Sequence, residues 1–81
     1  MNRIEKNIYE WIKKKNKEVK LNENLLKNGT LDSFNMMELI IFCEKKFQIR
    51  FKDIDLNNRN FTSIKKIASV ISKYQKDIRK K

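Results

Sequence analysis

Eighty-one residues make one domain, near the lower limit for a chain that folds without staples or a partner, with little room for a deep self-contained active site. The chain has no histidine and one cysteine, which excludes an internal disulfide, a Ser-His or Cys-His nucleophile pair and nearly every zinc arrangement, so neither an enzyme nor a metal site is expected. The net charge of +10 sits at the two ends, with an excess of four basic side chains over residues 1–30, none over 31–60 and six over 61–81.

In chain order, residues 3–17 carry Ile4, Ile8, Trp11 and Ile12 at i, i+4, i+7 and i+8, the single stripe of an amphipathic helix. Lys6, Lys13, Lys14 and Lys17 fall mostly on its other faces, and Trp11 reads as a core anchor rather than a ligand platform. Over residues 18–31, Val19, Leu21, Leu25, Leu26 and Leu31 follow neither the helical nor the strand period. Asn22, Asn24, Asn28 and Gly29 are turn formers. This segment is expected to be a long ordered loop held down by its leucines. A second helix is expected over 33–46, with Ser33 as its N-cap and Asp32 beside the positive end of the dipole. The connection 47–60 contains Asp53-Ile54-Asp55-Leu56, which suits a single helical turn. The last helix is expected to begin near Thr62 as N-cap, with a stripe of Ile64, Ile67, Ala68, Ile71, Tyr74 and Ile78, and the basic tail 79–81 is expected to fray. Strand-like alternation is confined to 48–52. The fold class is all-α: a small bundle of three main helices plus one short helix, in a single domain, with a long loop between the first and second helices.

The N-terminus, Met1-Asn2-Arg3-Ile4-Glu5-Lys6, has charges where a secretory signal needs an apolar run, and no apolar stretch approaches the roughly 18 residues of a membrane span. A cytoplasmic monomer is the expectation. The positive charge points to nucleic acid, an anionic surface or acidic partners. Compositional drift toward Lys, Asn and Ile, of the kind AT-rich genomes produce, is the favoured account, because the lysines are spread around their helices.

The second helix carries more apolar surface than one-sided packing requires. From Met36 to Cys43, seven of eight side chains are apolar, whereas a helix packed on one side needs a stripe only somewhat over 100° wide. Leu39, Phe42, Cys43 and Phe47 share one face and are assigned to the core, Cys43 as a small buried hydrophobe rather than a reactive thiol. Phe34, Met37 and Ile41 then fall on another side, together with Glu38 and Glu44. A cluster of large apolar groups on a small monomer marks a partner surface, unless the preceding loop folds over it. The two glutamates there would steer a basic partner.

Asp32-Ser33-Phe34, then Glu38-Leu39, Glu44, Phe47 and Ile49, and finally Phe61-Thr62-Ser63-Ile64 opening the last helix, together resemble the acyl carrier protein family. The resemblance covers about residues 25–71 and includes the helix order. It implies that a phosphopantetheinyl transferase joins covalent 4'-phosphopantetheine to Ser33, the transferase supplying the base and the metal. It further implies that the arm's thiol holds a carboxylic acid as a thioester, loaded by an acyl- or aminoacyl-activating ligase and passed to a downstream transferase or synthase. Tethering raises the effective concentration of the cargo at each partner. Family members use the second helix as recognition surface, which implies Asp32, Phe34, Asn35, Met37, Glu38, Ile41 and Glu44 as partner-binding residues here.

The chain departs from the family pattern in two ways. Asn35, Lys45, Lys46 and Arg50 stand where acidic side chains are common, which implies a dedicated partner set or a transferase contacting mainly Asp32, Phe34 and Glu38. Leu31 replaces the small residue that fatty-acid-synthesis carriers more often have, so the run looks more like discrete carriers of specialised pathways, including D-alanyl and other aminoacyl carriers. The alternative function is a basic helical module binding nucleic acid or an anionic surface, although no helix presents an obvious base-reading set. A third is a carrier-like docking subunit in which Ser33 stays unmodified.

Overall fold

Asn2 and Glu5 start the first helix, α1 (Arg3–Lys13), with a reciprocal capping box: the Glu5 amide donates to Asn2 Oδ1 at 2.8 Å and the Asn2 amide to Glu5 Oε1 at 3.0 Å. The computed structural model describes residues 1–79, with side chains through Lys76. The Ile78 side chain and the tail residues 80–81 therefore lie outside the described residues. Ile8 and Ile12 are fully buried, and Ile4 and Trp11 pack at the edge of the core. The helix stops at Lys13, short of the expected position 17. Asn16 turns away instead, donating through Nδ2 to Thr30 Oγ1 at 3.0 Å and accepting the Glu18 amide on Oδ1.

The loop between α1 and the second helix is irregular yet fixed. Val19, Leu25 and Leu31 are buried and Leu21 and Leu26 half-buried, as the leucine content predicts. Its backbone is tied to the start of the last helix, Leu25 N donating to Thr62 O at 2.7 Å and Lys65 N to Leu21 O at 3.1 Å. These bonds give partners to polar groups that burial would otherwise leave unsatisfied.

α2 (Ser33–Phe47) and α3 (Ile64–Arg79) complete the main helices. The short fourth helix is a pair of 3-10 turns, Asp53–Asp55 and Asn58–Phe61, the second capped by Asn57 Oδ1 accepting Asn60 N at 3.0 Å. Two caps sit one residue from their expected places. Asp32, not Ser33, caps α2. Ser63, not Thr62, serves α3: its hydroxyl accepts Lys66 N at 3.1 Å and its carbonyl accepts Ile67 N at 3.0 Å. No strand forms over 48–52, nor elsewhere among the described residues.

α1 packs mainly on α3, whose Ile64, Ile67, Ala68, Val70 and Ile71 are buried, with Tyr74 half-buried. α2 contributes Leu39 and Cys43 in full, while Phe42 and Phe47, assigned to the core by their spacing, remain half-buried at its rim. There Phe42 stacks on Trp11, with ring centroids 5.9 Å apart and an interplanar angle of 28°. Phe51 fills the other end and meets Phe61 and Tyr74 edge-on, at 5.7 and 5.5 Å between centroids. The molecule is thus a small all-α bundle with a long ordered loop between its first two helices. No helix among the described residues is long and apolar enough to cross a membrane.

Candidate functional site

The approach to Ser33 is built by the end of the loop. Gly29 adopts φ +81°, a left-handed conformation that costs a side chain more than it costs glycine. Thr30 and Leu31 then turn inward and are buried. With these two anchored, the chain emerges at Asp32, whose Oδ1 accepts the Asn35 amide at 2.7 Å. Ser33 follows as the first helical residue and is exposed. Because Asp32 does the capping, the Ser33 hydroxyl makes no hydrogen bond among the described residues. The Ser33 and Phe34 amides are likewise unengaged there.

Phe34, Met37 and Ile41 stand 69, 62 and 50 % exposed. The loop does not fold over them, so α2 shows solvent an apolar stripe at i, i+3 and i+7. Asn35 is half-buried next to it.

The acidic side chains around this stripe are committed within the chain. Glu38 pairs with Lys15, Nζ to Oε1 3.7 Å, while the same ammonium lies 4.9 Å above the Trp11 ring. Glu44 is half-buried, and its Oε2 accepts the Phe51 amide at 3.0 Å. It therefore fixes the turn after α2, a role that its place beside Phe34, Met37 and Ile41 in the sequence does not reveal. Lys45, Lys46 and Arg50 are exposed.

Behind the stripe, burial and the neighbouring Glu44 carboxylate push the Cys43 thiol up to about 12, so it stays protonated and inert at neutral pH. Beyond Arg50, the Tyr74 hydroxyl donates to Asp55 and accepts Lys52 N at 2.8 Å; desolvation first, then the bond to Asp55, raises its pKa. Among the described residues, no group of three or more His, Cys, Asp or Glu converges to hold a metal. A surface depression of about 610 Å³ lies at the far end of α2, lined by Arg3, Lys46, Gln48, Ser72 and Gln75 among others. It is about 21 Å along the helix from Ser33.

The structure thus gathers Ser33, Phe34, Met37 and Ile41 on one exposed face and sets Asp32 and Glu44 to structural work. Lys15 is the residue of this region that sequence reasoning misses. Its contact with Glu38 depends on how the loop leaves α1, and no local pattern encodes that. No family model matches the chain, and no curated protein or solved structure matches it significantly.

Proposed function

We propose that the protein is a carrier that holds a carboxylic acid as a thioester on phosphopantetheine attached to Ser33. On this reading it delivers the acid to partner enzymes of a specialised pathway rather than of bulk fatty acid synthesis, and performs no catalysis itself. One observation carries the reading: an exposed serine hydroxyl, unengaged by hydrogen bonds among the described residues, opens a 15-residue helix beside an exposed apolar stripe.

The residues present suit the group. The unengaged Ser33 and Phe34 amides at the positive end of α2 favour a phosphodiester there. When bound, the arm supplies a terminal thiol that carries the acid. Ser33 Oγ would provide the attachment oxygen: a base on the transferase would take its proton while the pyrophosphate P–O bond of coenzyme A breaks and adenosine 3',5'-bisphosphate leaves, with Asp32 Oδ1 meanwhile holding the Asn35 amide. Leu31 and Thr30, buried just behind, keep the attachment point rigid while the arm moves. Phe34, Met37 and Ile41 offer partners an apolar footing.

The test is intact mass after incubation with coenzyme A and a promiscuous phosphopantetheinyl transferase. One phosphopantetheine adduct on the wild type and none on Ser33→Ala is the expected result. No adduct, or one that survives Ser33→Ala, sinks the proposal.

A second reading, a basic module for nucleic acid or an anionic surface, draws on α3. Lys65, Lys66, Lys73 and Lys76 are all exposed along its outer side. Such binding would fall steeply with salt, and absence of affinity for duplex or single strands at low salt dismisses it.

A further inference from the structure

The chain's single glycine stands directly after an asparagine, so Asn28-Gly29 is its one Asn-Gly pair. Both residues are exposed, and a Cβ built on Gly29 would meet nothing within 4 Å. The Asn28 side-chain amide is nevertheless held at both ends. Its Oδ1 accepts the Thr30 amide at 2.9 Å, and its Nδ2 donates to Glu23 Oε2. Glu23 is itself anchored, since its Oε1 accepts the Lys20 amide at 3.1 Å. The Gly29 nitrogen, by contrast, reaches Leu26 O only at 3.4 Å, longer than an ordinary N–H···O bond. A lightly held backbone nitrogen therefore adjoins a firmly held side-chain carbonyl.

We propose that Asn28-Gly29 is a latent deamidation site, latched by Glu23 and Thr30, whose conversion permanently loosens the loop leading to Ser33. Glycine at the second position leaves the attacking nitrogen unshielded by a Cβ and the backbone free to turn. When the loop opens, the Gly29 nitrogen attacks Asn28 Cγ and passes its proton to solvent. The Cγ–Nδ2 bond breaks, and Nδ2 takes a proton from water and leaves as ammonia, closing a succinimide ring. Water then adds to either ring carbonyl. Opening at Cγ gives aspartate in an ordinary peptide; opening at the backbone carbonyl carries the main chain through Cγ as isoaspartate. Neither product can restore the latch. A carboxylate has no hydrogen to offer Glu23 Oε2, and two negative charges would stand in contact there. Isoaspartate also lengthens the main chain by one atom inside the turn that Leu31 N and Leu25 O close at 3.0 Å. Leu25 and Leu31 are buried, so the disturbance falls on the segment that precedes Ser33. Opening of the loop is reversible, whereas deamidation records it. None of this depends on what Ser33 carries.

The full unmodified chain is aged in warm, mildly alkaline buffer, folded or unfolded in guanidinium chloride, and peptide maps separate asparagine, aspartate and isoaspartate. Conversion should concentrate at Asn28 in both states. It should run at least about tenfold slower in the folded chain, where the latch keeps Cγ from the near-attack position. Glu23→Ala should speed the folded reaction about threefold or more, whereas Glu23→Gln, which keeps an acceptor, should stay near wild type. Ile71 is fully buried on α3, away from the loop. Ile71→Val weakens the core, yet should leave the folded rate unchanged, which separates local opening from global unfolding. Asn28→Asp stands in for the product. In it the Thr30 and Leu31 amides should exchange with solvent about threefold faster or more, and adding Glu23→Gln, whose amide can donate, should recover most of the protection. Equal rates in the folded and unfolded chain overturn the latch, as does acceleration by Ile71→Val that matches Glu23→Ala. Absence of conversion, or conversion spread evenly over the other asparagines, overturns the site. Unchanged exchange in Asn28→Asp overturns the loosening. Loading of Ser33 enters none of these readouts, so failure of the carrier reading leaves them standing.

Discussion

Glu44 reaches seven residues forward to accept the Phe51 amide at 3.0 Å, and so ties the end of α2 to the aromatic cluster that closes the bundle. Gln48 makes the reach possible. It ends α2 in a left-handed conformation, φ 54°, which reverses the chain so that Ile49 and Phe51 re-enter the core. Removing the acceptor leaves the Phe51 amide unpaired. Glu44→Ala should lower the unfolding free energy by about 1.5–3 kcal/mol, the range for hydrogen bonds to charged groups. Glu44→Gln, which keeps an acceptor, should recover most of it. Urea unfolding measures both, and equal stability of Glu44→Ala and wild type would show that the contact is idle.

Gln48 itself is the weak point of that turn. A side chain at positive φ costs about 1 kcal/mol relative to glycine, the usual residue at this position after a helix. Gln48→Gly should therefore raise the urea midpoint by the equivalent of about 0.5–1 kcal/mol, even though glycine also widens the unfolded ensemble. A lowered midpoint contradicts the assignment of strain.

At the start of α2, charge and capping can be separated. Asp32→Ala removes the bond to the Asn35 amide and should cost about 1 kcal/mol, whereas Asp32→Asn keeps a cap and should cost little. If the Asp32 charge also contacts a transferase, Asp32→Asn should slow modification of Ser33 while leaving unfolding unchanged. Parallel loss of rate and stability in both variants would mean that capping is all Asp32 does.

Cys43 predicts an alkaline limit. Its thiol is held up to about 12 from an ordinary 9.0, so the folded state prefers the protonated form. The group's stabilisation is complete below pH 9, and is lost as pH rises from there through the folded value. Over that window stability should fall by up to about 1.4 kcal/mol per pH unit for this one proton. Cys43→Ala should be less stable than wild type at pH 7, having lost buried volume, and should show a shallower decline above pH 9. Identical alkaline slopes in the two proteins would refute the buried-thiol account.

The apolar stripes were legible because they obey one period. Ile8, Ile12, Ile64, Ile67 and Ile71 are all fully buried where spacing places them, and the excess on α2 emerges as the exposed Phe34, Met37 and Ile41. The caps slipped by one residue because Asp32-Ser33 and Thr62-Ser63 are each pairs of cap-competent side chains, and backbone conformation chooses between them. The Asn2–Glu5 box does carry a sequence signal, an amide followed three residues later by a glutamate. Lys15 with Glu38, and Glu44 with Phe51, carry none. One depends on the course of the loop and the other on the left-handed Gln48, so chemistry that reads locally as a free acidic face is absorbed by tertiary contacts.

Trp11 lies between these two worlds, stacked on Phe42 of α2 and beneath the Lys15 ammonium that holds Glu38. It is the chain's single tryptophan, so its emission has one source. A positive charge fixed 4.9 Å from the indole imposes a local field on its excited state. Whatever draws Lys15 away, or opens α1 from α2, alters that field and the ring's contact with Phe42. The protein thereby contains its own optical gauge, sensitive to events at the outer side of α2 without any label placed there.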